Sequence, residues 1–113
     1  MRPVRPIPPM HWLLLITAGL CEVGFTTFMK LSQGFSRPWP TAGFVVFCVA
    51  SFWLLNLSLR GIPLGTAYAV WTGIGAAGTA AVGMIFFGDP ATAGRLFFLA
   101  LLIGSVIGLR LVA

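Results

Sequence analysis

Apolar residues along this chain gather into long runs separated by short breaks, and the runs set the predicted architecture. They cover about 10–31, 41–59, 63–87 and 92–111. Each is near the length of about 20 residues that carries a helix across a ~30 Å hydrocarbon core. The breaks are made of turn formers: Ser32 to Pro40 (SQGFSRPWP), Arg60-Gly61 before Pro63, and Gly88-Asp89-Pro90. Pro63 suits the first turn of the third helix. Ahead of the first run, Pro3, Pro6, Pro8 and Pro9 exclude a helix and make residues 1–9 an extended tail. The reading is a proline-rich tail followed by a single four-helix transmembrane domain over 10–113, all-α, with no room for a soluble domain.

Composition agrees with a membrane protein and narrows the partners. Of 113 residues, 58% are hydrophobic and 8% charged, with mean hydropathy +1.00. Soluble domains carry about 25% charged residues. The net charge of +5 is scattered between the apolar runs, so no basic stripe for nucleic acid forms. Arg2, Arg5, Arg60 and Arg110 fall at one side of the membrane, and Lys30, Arg37 and Arg95 at the other. Four against three gives the positive-inside rule little to act on, so insertion in both orientations is open. Cys21 and Cys48 lie inside apolar runs without metal or redox spacing and read as small buried residues. Arg2 and Arg5 before an apolar run imitate a signal peptide. Leu20, however, is too large before a processed cysteine, and the run continues past Glu22.

The chemistry centres on Glu22, the one acid inside a span. A carboxylate at the bilayer centre costs about 2.5–3.5 kcal/mol on insertion scales, which makes a functional role the default reading. On a helix its neighbours at three and four residues are Ala18, Gly19, Phe25 and Thr26: small residues below, a ring and a hydroxyl above. Thr26 is placed to orient the acid. On the third helix Tyr68, Trp71, Thr72 and Gly75 share a face, as a pocket wall would require. Gly73, Gly75 and Gly78 invite a bend and close approach. Ser51 and Asn56 are the polar members of the second helix, and Gly104 and Gly108 form a small-xxx-small pattern on the fourth. No nucleophile–base pair, metal-ligand cluster or phosphate loop occurs, so neither an enzyme nor a cofactor is expected. His11 reads as an interfacial residue.

Motifs at these positions resemble the small multidrug resistance transporters over about 12–111. They are Ala18-Gly19-Leu20-Cys21-Glu22-Val23, Lys30, Gly34-Phe35-Ser36-Arg37, and the long run from Pro63 to Gly75 (PLGTAYAVWTGIG). The resemblance implies an antiparallel, dual-topology homodimer in the bacterial inner membrane that exchanges protons for organic cations. It implies Glu22 from both subunits as the proton- and substrate-binding group, and Tyr68, Trp71 and Ser51 as pocket residues beside it. It also implies a helix 3 hinge at Gly73–Gly75 and a fourth helix that dimerises.

Gly19 and GTAYAVWTGIGA resemble the guanidinium exporters, which usually carry tryptophan where this chain has Phe25. Val23 to Thr27 and Ala50 to Leu55 resemble the quaternary-ammonium exporters, which commonly carry tyrosine where this chain has Cys48. The expected substrate is a small guanidinium-type cation. The alternative is broad export of quaternary ammonium and aromatic cations. A structural membrane subunit, or one half of a paired heterodimer, would dispense with a self-sufficient Glu22 pair.

Overall fold

The computed structural model describes residues 7–112, so Arg2, Arg5, Pro3 and Pro6 of the expected tail lie outside the described residues. Four helices follow in order: α1 (Pro9–Leu31), α2 (Pro38–Ser58), α3 (Leu64–Phe86) and α4 (Ala93–Val112). All four are long and apolar enough to cross a membrane.

The helix starts follow from proline chemistry. Pro9 opens α1, where the missing N–H has no partner to lose. By the same rule α2 begins at Pro38, three residues ahead of the expected Thr41, taking Pro38 and Pro40 into its first turn. Pro63 stands just before α3 rather than within it. The α1–α2 connection is a tight left-handed turn with φ of 50° at Gln33, 73° at Gly34 and 64° at Phe35. Only glycine takes such angles freely. Two local contacts hold the others: the Phe35 N–H donates to Ser32 Oγ at 3.0 Å, and the Phe35 ring meets Phe44 edge-on at 5.1 Å.

α1 lies in the middle, packed on α2 along one side and α3 along the other, while α4 packs on α3. Pairings run in opposite senses on the two sides. On α2, Ser51 meets Ala18, Phe47 meets Gly24 and Gly43 meets Phe28, an antiparallel pair. On α3, Ile74 meets Gly19, Gly75 meets Glu22, Gly78 meets Val23 and Thr79 meets Thr26, a parallel pair. Glycines recur at these meeting points because only a missing Cβ lets one helix sit this close to its neighbour.

The result is a slab whose Cα extents are 51 × 35 × 18 Å. Its buried apolar cluster gathers at the end where α1 begins: Trp12, Leu15, Ala18, Ile62, Ala67, Val70 and Trp71. Arg110 of α4 sits over the Trp12 ring there, 5.6 Å from its centroid. No residue of α4 is buried. At the opposite end lie Lys30, Arg37, Asp89 and Arg95.

Candidate functional site

Glu22 projects from α1 against α3, and its carboxylate occupies the space that a Cβ on Gly75 would need. The residue is partly buried, but Oε2 is fully enclosed and has no hydrogen-bond partner. Leaving a buried polar atom unmet costs about 1–3 kcal/mol, and more for a charged one. The site therefore holds an unfilled demand for a donor.

The hydroxyl and indole expected beside this acid are present but directed elsewhere. Trp71 Nε1–H donates to Ser51 Oγ at 2.9 Å, and the Ser51 hydroxyl donates to the Ala18 carbonyl at 2.6 Å, both bonds buried. Ser51 has a single proton, so it ties α1, α2 and α3 together rather than donating to Glu22. Thr26 is similar. Its hydroxyl donates to the Val23 carbonyl at 3.0 Å, one turn back, and lies 2.7 Å from Thr79 Oγ1. With the Thr26 proton so placed, Thr79 is the donor of that pair. The expectation that Thr26 orients Glu22 is thus corrected: serine and threonine in helices satisfy nearby carbonyls first.

Aromatic rings line one approach. Trp71 is buried with its ring 5.2 Å from Phe52 and 5.7 Å from Tyr68. Phe52 stacks with Phe25 at 6.4 Å, and Phe25 meets Phe44 edge-on at 5.8 Å. Tyr68, Trp71 and Phe25 thus join one wall, completed by Phe52 and Phe44, which sequence reasoning did not single out. The two lie eight residues apart on α2, hence on similar faces, a signal that was available. Thr79 was missed as well, although it falls four residues past Gly75. Tyr68 is itself 57% exposed, and Thr72, read onto the same face, is exposed with it.

Gly19 sits beside Ile74 and lets α1 and α3 close on each other just below the carboxylate. α3 runs unbroken through Gly73 and Gly75, whose visible role is contact: Gly73 receives Val106 of α4, and Gly75 receives Glu22. Nothing lies within 4 Å of a Cβ placed at Gly104 or Gly108, which leaves both on an open face of α4. Among the described residues, no group of three or more His, Cys, Asp or Glu side chains could hold a metal ion.

Four apolar spans around one enclosed carboxylate define a small polytopic membrane protein. The chain belongs to the small multidrug resistance family: the family model described as Small Multidrug Resistance protein matches residues 10–102. It is 45% identical over 102 residues to a guanidinium exporter of Yersinia pseudotuberculosis, covering 90% of this chain and 98% of that one. It is 44% identical to a guanidinium exporter of Escherichia coli, covering 90% and 97%. A probable guanidinium efflux system subunit of Bacillus licheniformis is 43% identical, covering 92% and 100%. The protein is accordingly a transporter rather than an enzyme, a multi-pass protein of the bacterial inner membrane.

Proposed function

We propose that the protein is a proton-coupled antiporter that exports small organic cations, guanidinium-type above all. It would work by alternating access around two Glu22 carboxylates contributed by oppositely oriented copies. The observation that carries this reading is the enclosed, unpartnered Oε2 of Glu22 against Gly75. A guanidinium offers planar N–H donors that match a carboxylate in bidentate geometry, and the flanking rings offer cation–π contact. The exporter names of the relatives support the substrate class.

A second copy follows from the slab. Within one protomer Glu22 is only partly buried, and α4 buries none of its residues. Two copies inserted in opposite senses enclose the carboxylates between inverted halves, as fused inverted repeats do in larger transporters. Proton and cation compete for the same carboxylates, and the pair titrates as a unit. Movement with the pair empty is disfavoured because charged groups would be left without a ligand, so the exchange stays coupled. Since protons displace the cation, cation affinity falls as pH drops through the titration of the pair.

One observation favours the broader reading, quaternary ammonium and aromatic cations. The Trp71 N–H is committed to Ser51, which leaves ring faces rather than donors around the acid. Proteoliposome uptake separates the two, with guanidinium against a tetraalkylammonium as competing substrates. Glu22→Gln is expected to abolish pH-dependent uptake of either. Wild-type-like proton-coupled uptake in that variant refutes the proposal. Crosslinking the chain expressed alone tests self-sufficiency, a question raised by the word subunit in the name of the Bacillus relative.

A further inference from the structure

The two acids of the chain lie on one face of α3. Glu22 lodges at Gly75, and the Asp89 carboxylate lodges at Gly83, where it fills the place of a Cβ. Thr79, bonded to Thr26, stands midway. Positions 75, 79 and 83 follow each other at four-residue steps, so the two carboxylates are about 12 Å apart along the helix, with the threonine pair about 6 Å from each. Asp89 is fixed there by the chain reversal: its N–H and that of Phe87 both donate to the Gly83 carbonyl at 3.0 Å, across Gly88 at φ 71°. A cleft of about 170 Å³ occupies the space beyond the threonines, lined by Thr26, Thr27, Lys30, Thr79, Gly83 and Asp89. It has room for several waters or one small cation. The turn at Asp89 thus brings its carboxylate back against Gly83, while the residue as a whole stays exposed.

We propose that this cleft is an outer recognition site for the transported cation. Asp89 and the threonine oxygens receive the N–H groups of a guanidinium-type ion before it passes the Thr26–Thr79 pair to Glu22. Lys30 lines the same cleft, and its positive charge opposes the arrival of a cation there. The hydroxyl pair is the barrier between the two carboxylates. Passage needs α1 and α3 to part at this pair, since Gly78 against Val23 packs the two helices closely beside it. In two oppositely oriented copies the two clefts open at opposite faces of the membrane, giving each face its own receiving carboxylate. The inference rests on Glu22 being the central cation site, and its test is arranged to separate the two.

The measurement is the half-saturating guanidinium concentration for guanidinium-driven proton release from proteoliposomes holding the full chain. Asp89→Asn is expected to raise that concentration about threefold, the worth of one charge-assisted contact at an exposed residue. Asp89→Glu restores it in large part. Lys30→Met lowers it about threefold by removing the like charge. Opposed shifts are the signature, because a packing defect moves both variants the same way. Shifts of one sign, or none, overturn the cleft. If Asp89→Asn fails to insert, Lys30→Met decides alone, and an unchanged value there overturns the proposal. The Glu22→Gln arm is read by equilibrium guanidinium binding across pH. Retained pH-dependent binding there refutes the central site, whereas its loss with no Asp89 or Lys30 shift refutes only the cleft.

Discussion

Gly75 matters for the atom it lacks. A methyl there meets the Glu22 carboxylate, and this contact is with the reactive end of the side chain rather than with a flexible apolar tip. Gly75→Ala is therefore expected to push Glu22 from its place and weaken guanidinium binding at least roughly tenfold, about 1.4 kcal/mol. Gly65→Ala, with nothing within 4 Å of the added methyl, is the neutral comparison. Isothermal titration on purified protein reads both. Equal affinities would mean that the carboxylate does not need this space. Identifying Glu22 needed no structure, because one acid in an apolar run stands out by its cost alone. Its partner was harder: Gly75 is one of 14 glycines in the chain, and no local signal distinguishes the one that faces the acid.

Between elements, the Trp71–Ser51–Ala18 chain is the polar fastening. It joins α3 to α2 and α2 to α1 through two buried bonds of 2.9 and 2.6 Å. Ser51→Ala leaves the Trp71 N–H buried without an acceptor, a loss of about 1–3 kcal/mol. The expected outcome is a lower unfolding midpoint in detergent, with the Trp71 fluorescence altered. Trp71→Phe loses the same bond along with some core packing, so the double variant is expected to fall short of the sum of the two single losses. The spans themselves were legible because lipid demands continuous apolar runs, and their limits were legible from Pro and Gly. The early start of α2 was not, since Pro38 and Pro40 read equally well as loop residues and as first-turn residues. The directions of Ser51 and Thr26 were also hidden. Sequence places both hydroxyls near Glu22, but the proton of each goes to a carbonyl, which only coordinates reveal.

As a whole, the molecule is a slab with an unfinished side, and α4 is its plainest unfinished element. Gly104 and Gly108 meet nothing within the protomer, so a large side chain at either is harmless to the isolated fold. In a dimer that uses this face, Gly108→Leu is expected to weaken association by about 1–3 kcal/mol, the usual cost of overpacking a close contact. Single-molecule photobleaching in nanodiscs across dilution would report it, as a shift toward single copies with far-ultraviolet dichroism unchanged. A dimer as tight as wild type would move the interface off this face. The dimer is a proposal drawn from family likeness and from how little one thin four-helix protomer can enclose. Within the described residues, charges at the two ends are nearly balanced, with Lys30, Arg37 and Arg95 offset by Asp89 at one and Arg60 with Arg110 at the other.

The apolar cluster crowded around Trp12 and Trp71 has a consequence for how the protein can move. Dense packing there makes the start of α1 a stiff root, while the stretch from Glu22 outward, where no apolar side chain of α1 is fully buried, is compliant. Place two such wedges head to tail and the root of each stands beside the pliable tip of the other. In the proposed antiparallel pair, then, only one partner would gape at any one membrane surface, and the other would serve as the post it swings against.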